Sequence, residues 1–260
     1  MQSLYVHFLP ALIEESSLIG SIAVIIDVLR ASSTIVTALH NGAKSVIPCG
    51  TPEAAKKIRT ESSSCDVLLG GERGGVVIEG FDCGNSPTEY AAARVAGKTI
   101  AFTTTNGTRA LLKAAAAETI LIGAFVNRKS LIDRLNNDRR PIHLVCAGTD
   151  GAITGEDVLF AGAVVDALTQ SDPAGAGEPS RWNPNDCARI SQAFWQHSVG
   201  ADAASDHKEG LSARIEAAMR ETRGGLNLRE LKYDDDILLC SEVDVVRRVP
   251  ELNRRSGALS

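Results

Sequence analysis

The chain has 260 residues, 44% hydrophobic and 4% aromatic, with a formal net charge of -5. That length holds one large α/β domain or two small ones, with room for a substantial core, and the acidic balance argues against nucleic acid or an anionic membrane as partner, since both need basic surface. No apolar run approaches the ~20 residues of a membrane span, and MQSLYVHFLPALIEES lacks the basic start and small-residue cleavage site of a signal peptide, so a cytoplasmic protein is expected.

Short apolar runs alternate with helical patterns along the chain. SIAVIID (21–27) is continuous and β-branched, as a strand buried on both faces should be. ASSTIVTALHNG (31–42) reads as a helix closed by Asn41 and Gly42, and KSVIP (44–48) as the next strand. TPEAAKKIRT (51–60) starts a helix with Thr51 as cap and Pro52 at its first position, followed by the strand DVLLGGE (66–72). GGVVIEGFDCGNSP (74–87) is a short strand running into a polar loop, and 86–97 a helix capped by Ser86. Strands are expected at 98–103, 119–123 and 141–148, with helices at 106–117, 127–135 and 155–169. Residues 170–186 have the composition of an exposed loop. Helices follow near CARISQAFWQHS and 206–221, then TRGGLNLREL with its paired glycines and a mixed C-terminal stretch.

The alternation predicts an α/β fold: a mostly parallel sheet with helices on both faces in Rossmann-like layers, built as a single domain over 1–260 with a helical C-terminal addition. In such sheets ligands bind beyond the carboxyl ends of the strands. Five polar loops fall there: DVLRASS, GGERGG, FDCGNSP, TTTNGT and CAGTDG.

Each loop carries groups suited to an anionic ligand or a metal. Asp27, at the end of its strand, is read as a metal ligand, base or nucleophile, and Arg30 as a clamp for phosphate or carboxylate; Ser32 lies at the next helix start. Glu72 and Arg73, between glycine pairs, offer an acid/base and an anion clamp. Asn85 and Ser86 face another helix start. Thr105, Asn106, Gly107 and Thr108 sit where a strand meets a helix, whose free N–H groups and partial positive charge attract anions; ordinary capping is the plain alternative. Glu156 and Asp157 open a helix about 100° apart, so one is expected to face the cleft; metal ligation and simple support of the helix dipole are the two readings. Walker and dinucleotide fingerprints are missing. None of the six cysteines, Cys49, Cys65, Cys83, Cys146, Cys187 and Cys240, forms a C-x-x-C pair, so free thiols are expected. His40, His143 and His207 show no pairing pattern.

Taken together, DVLRASSTIVTAL, LLGGERGG, GFDCGNSP, TTTNGTRAL, the helix start at Asn127, VCAGTDG and GEDVLFAG resemble the 2-phosphosulfolactate phosphatase family, in order from about residue 21 to 169. The resemblance implies Mg²⁺-dependent hydrolysis of 2-phospho-3-sulfolactate to 3-sulfolactate and phosphate, a step toward coenzyme M in methanogens. It implies Asp27 as metal ligand or nucleophile and Glu72 as acid/base. Arg30, Ser32, Arg73, Asn85, Ser86, Thr105, Asn106, Gly107 and Thr108 would bind the anionic groups, with Glu156 and Asp157 as further metal ligands. The other readings are a non-catalytic module for a small anionic metabolite and a nucleotide-dependent enzyme. A homodimer is the default assembly. Where the family pattern favours serine before the late glycine pair, this chain has Thr222.

Overall fold

The computed structural model describes residues 1–62, 66–170, 180–200 and 207–260. Its strands are β1 (Gln2–His7), β2 (Ile22–Ile26), β3 (Ser45–Pro48), β4 (Val67–Arg73), β5 (Val76–Val77), β6 (Thr99–Thr103), β7 (Thr119–Gly123), β8 (Ile142–Cys146), β9 (Trp182–Pro184), β10 (Leu252–Asn253) and β11 (Ala258–Leu259). Its helices are α1 (Ala31–His40), α2 (Pro52–Glu61), α3 (Ala92–Val95), α4 (Gly107–Lys113), α5 (Arg128–Asn136), α6 (Gly155–Gln170), α7 (Asp186–Val199), α8 (Lys208–Arg220), α9 (Arg223–Glu230) and α10 (Asp234–Ser241).

The expected α/β layering is present, with its strands divided between two sheets. The first has the order β7-β2-β8-β1-β9 and is parallel throughout. The second, β10-β11-β3-β6-β4-β5, has a parallel centre, β3-β6-β4, and antiparallel pairs at both edges. The two-residue side-chain period of β2 distributes its apolar residues between two cores. Ile22, Val24 and Ile26 face a core shared with Phe160, Trp195, Met219 and Ile237 of the later helices. Ala23 and Ile25 face a second core with α1, α4 and the strands β3 and β6. A smaller cluster beneath α2 covers the far side of the second sheet. Each fully buried Ile, Leu or Phe contributes about 1.5–3 kcal/mol, so β2, buried along its whole length, anchors both layers.

Three expectations are corrected. The 86–97 helix is a 3₁₀ turn at Pro87–Tyr90 followed by the one-turn α3, because Ser86 makes no capping bond. Its hydroxyl is engaged by Thr88 and Asp236 instead. The N-terminal segment, given no strand by its pattern, is β1, interior to the first sheet. The proposed loop at 170–186 ends in structure: Trp182 is buried and β9 pairs in parallel with β1. Residues 171–179 of that loop lie outside the described residues. Near the C-terminus, α9 and α10 occupy stretches that the sequence pattern left unassigned. Among the described residues, no helix is long and apolar enough to cross a membrane.

The described cysteines, Cys49, Cys83, Cys146, Cys187 and Cys240, are free as expected; Cys65 lies outside the described residues. Burial pushes the thiols of Cys49 and Cys83 up to about 11 and that of Cys240 to about 12, which keeps them protonated and unreactive. The histidine expectation is corrected. His143 on β8 meets His7 on β1, Nδ1 to Nε2 at 2.9 Å, with the rings stacked. Adjacent parallel strands bring together residues 136 positions apart.

Candidate active site

A pocket of about 280 Å³ opens where the carboxyl ends of the strands meet the helix starts, and all five polar loops reach it. Asp27, Leu29 and Arg30 follow β2. Glu72, Gly74 and Gly75 form the β4–β5 turn, Asn85 comes from the next loop, Thr105 and Asn106 follow β6, and Thr149 and Asp150 follow β8. The remaining wall was not foreseen: Gly224, Asn227, Leu228, Glu230 and Leu231 of α9 and its end. Among the described lining residues, four carboxylates, those of Asp27, Glu72, Asp150 and Glu230, face a single guanidinium, that of Arg30.

Asp27 lies at the pocket floor. Its amide donates to Ser32 Oγ at 3.0 Å and its Oδ1 accepts from the Ala31 amide at 3.3 Å. Burial first, and then the charge of Glu72, raises its pKa to about 7. Gly107 opens α4 directly against it: a Cβ there would stand 2.8 Å from Asp27 Oδ2. Glu72 is tied by backbone. Oε1 accepts from the Thr105 amide at 2.8 Å, and Oε2 from the Gly75 amide at 2.8 Å and Thr105 Oγ1 at 3.4 Å. A carboxylate has about four acceptor sites, so one is left over. Asn106 does not cap α4 with its side chain; its Oδ1 accepts from the Asp150 amide at 3.2 Å and bridges two pocket loops.

Arg30 is buried with Asp236 in an ion pair at 2.6 Å, and its other terminal nitrogen donates to the Gly75 carbonyl at 2.7 Å. The Tyr233 ring covers one face of the guanidinium at 4.4 Å. Asn85 is 6% exposed, lines the pocket, and its Oδ1 has no partner. A buried amide oxygen without a partner is costly unless a ligand or ordered water completes it.

Five residues expected to touch substrate stand outside the lining. Ser32 fixes the Asp27 backbone. Ser86 donates to Asp236 Oδ1 at 2.5 Å. Thr108 Oγ1 accepts from the Thr104 amide at 3.3 Å, and Gly107 makes room for Asp27. The Arg73 guanidinium turns away to Thr103 Oγ1 at 3.0 Å and its neighbour's carbonyl.

The expected metal set of Asp27, Glu156 and Asp157 is not assembled. Among the described residues no three side chains of ligating type form a group ready to hold an ion. Asp157 is the reason: its two oxygens accept from the Val28 and Gly148 amides at 2.9 and 3.0 Å, which staples the ends of β2 and β8. Burial, then the charges of Glu156 and Asp27, raises its pKa well above the usual carboxylate range. Glu156 is the freer of the two. It is 2% exposed, its Oε2 is unpartnered, and its carboxylate lies so close to the start of α9 that a Cβ at position 224 would push it aside. Both acids are buried, and Glu156 is the one whose carboxylate stands against Gly224 of the pocket wall.

The model of the 2-phosphosulpholactate phosphatase family matches residues 7–255. A probable 2-phosphosulfolactate phosphatase of Symbiobacterium thermophilum is 36% identical over 233 residues, covering 90% of this chain and 91% of that protein. One from Thermotoga petrophila is 39% identical over 230 residues, 88% of each chain. One from Caldicellulosiruptor saccharolyticus is 46% identical over 158 residues, 59% of this chain and 64% of its own. With a family match that takes in both the motif loops and the C-terminal helices, the chain belongs to the 2-phosphosulpholactate phosphatase family.

Proposed function

We propose that this chain is a Mg²⁺-dependent phosphatase acting on the phosphate monoester of a small 2-hydroxy acid, with 2-phospho-3-sulfolactate, hydrolysed to 3-sulfolactate and phosphate, as the leading substrate. The observation that carries this reading is the Asp27–Arg30–Asn85 constellation on one pocket: a raised carboxyl, a fixed guanidinium and an unpartnered amide. The names of the relatives support the substrate.

Charge supports the cation. A phosphorylated sulfonated acid carries several negative charges, and the lining meets it with four carboxylates and one arginine already paired to Asp236. Such a ligand enters only with positive charge of its own. The donor set fits Mg²⁺, which takes one or two carboxylates and keeps waters and phosphate oxygens for the rest. Asp27 and Glu156 would hold it: one is pushed toward protonation by its neighbours, and the other has a buried oxygen without a partner. When bound, Mg²⁺ neutralises the phosphoryl oxygens and lowers the pKa of water.

The chain's own groups do the rest. Arg30 uses two of its five N–H groups internally and offers the others to the phosphoryl group. The Asn85 side-chain NH2 donates to the same group, while its unpartnered Oδ1 is an acceptor for an ordered water or the cation. The vacant acceptor site of Glu72 takes a proton from the attacking water. Leu228 and Leu231 give the pocket an apolar wall on the α9 side that excludes bulk water.

The test is phosphate release from 2-phosphosulfolactate with and without EDTA, beside phospholactate and phosphoglycolate. Release that needs Mg²⁺ and is fastest with the sulfonate supports the whole reading. Equal release from all three retains the phosphatase and discards the named substrate. A folded protein that releases phosphate from none of them overturns it in favour of a binding module.

A further inference from the structure

Asp236 lies 206 residues from Arg30 in the chain and outside every polar loop that the sequence singles out. It sits in the first turn of α10 and is 2% exposed. Its two oxygens do different things. Oδ2 accepts from Arg30 at 2.6 Å, and Oδ1 accepts from Ser86 Oγ at 2.5 Å. Ser86 is the neighbour of Asn85, whose carbonyl is held in turn by Thr34 Oγ1 at 2.7 Å. One buried carboxylate thus grips the two loops that supply the guanidinium and the unpartnered amide of the pocket. The same helix start brings Tyr233 over the guanidinium face. With the Gly75 carbonyl accepting from the other terminal nitrogen, both terminal nitrogens of Arg30 are held.

We propose that Asp236 is the positioning residue for Arg30: it holds the guanidinium and the Asn85 loop in the geometry that receives a phosphoryl group, and so makes the C-terminal helices part of the anion site. The inference rests on the reading of Arg30 as an anion-binding group. It assigns a function to the C-terminal addition, which covers the core and also aims the Arg30 guanidinium of the pocket lining.

A purely structural ion pair and a positioning pair differ in how two substitutions combine. Groups acting as one unit are non-additive, whereas independent contributions multiply. With Mg²⁺ present, we would measure inorganic phosphate binding by calorimetry and turnover of 2-phosphosulfolactate for the wild type, Arg30→Ala, Asp236→Ala and the double variant, with thermal unfolding to identify folded protein. Asp236→Ala should weaken phosphate binding and lower kcat/KM roughly ten- to hundredfold. In the Arg30→Ala background the same change should add less than about twofold, as expected for a coupled pair. If Asp236→Ala does not fold, Asp236→Asn, which keeps the volume and loses the charge, enters the same cycle. Effects that multiply, or Asp236 variants within twofold of the wild type, would overturn the proposal, as would a wild type that does not bind phosphate. A wild type that binds phosphate with the expected coupling but hydrolyses no ester would leave Asp236 in its role and remove the phosphatase reading.

Discussion

The two ends of the first sheet treat charge in opposite ways. At the amino ends of its strands, Asp138, Arg140, Arg181, Gln2 and Thr119 form a network in which each group meets its complement. Arg140 donates to Asp138 through Nε at 3.0 Å and a terminal nitrogen at 2.7 Å, and to Thr119 Oγ1 at 3.0 Å. Arg181 holds Gln2 Oε1 at 2.7 Å and the Asp138 carbonyl at 2.7 Å. Hydrogen bonds from Arg140 keep the Asp138 carboxyl well below the usual carboxylate range. At the carboxyl ends, Asp27 is raised to about 7 and Glu156 and Asn85 keep buried oxygens without partners. A balanced network closes the sheet; an unbalanced one waits for a ligand. The raised carboxyl of Asp27 beside the unpartnered oxygens of Glu156 and Asn85 is the physical mark of the site.

That contrast breaks most sharply at Asp27. Asp27→Asn should reduce kcat/KM on the order of 10²–10⁴-fold while thermal unfolding shows a protein as stable as the wild type or more so. Wild-type turnover would remove Asp27 from the chemistry. Gly107→Ala comes next. The added methyl would meet Asp27 Oδ2 at 2.8 Å, so turnover should fall roughly ten- to hundredfold, although alanine favours the helix. Steady-state kinetics beside a melting curve separates the two effects.

The closed end should respond in reverse. Asp138→Ala should cost about 1 kcal/mol of stability, as loss of a partly buried, solvent-screened ion pair does, with kcat/KM unchanged. A drop in activity at constant stability would show that the two ends are coupled. The smallest effect is in pH dependence. Asp27 has a raised folded pKa, so its contribution is fully present below the unfolded value near 3.8 and is lost as pH rises through about 7. Denaturant unfolding of Asp27→Asn against the wild type should therefore show a stability difference that moves in the variant's favour by about 1–3 kcal/mol between pH 4 and 7. His7 and His143 act the other way: burial lowers both to about 4, so falling pH from 6.5 toward 4 favours the unfolded chain. Because both variants retain these rings, the comparison cancels them.

Much of the active edge was legible in local sequence. Asp27 ends a continuous β-branched run, Glu72 lies near the end of β4, and Asn85 and Thr105 lie in loops after β5 and β6, so chain order alone put them on one edge. The errors share a cause. Ser86 reads as a cap because Ser-Pro is a helix start, but a bond to a carboxylate 150 residues away claims its hydroxyl. Asp157 reads as a metal ligand because acids at a helix start lie near a sheet edge, but two strand-end amides take both of its oxygens. α9 offered only its glycine pair as a local signal and Asp236 none, since their contribution depends on where the last helices pack.

The sequence by itself determined the α/β alternation, the carboxyl-edge loops and the family, because hydrophobic period, glycine and proline positions and motif spacing are local properties. Only the tertiary structure decided the division into two sheets, the pairing of His7 with His143, the α9 wall and the bond from Asp236 to Arg30. These are meetings between distant segments. Their energies come from burial and from hydrogen bonds that exist only once the layers have closed.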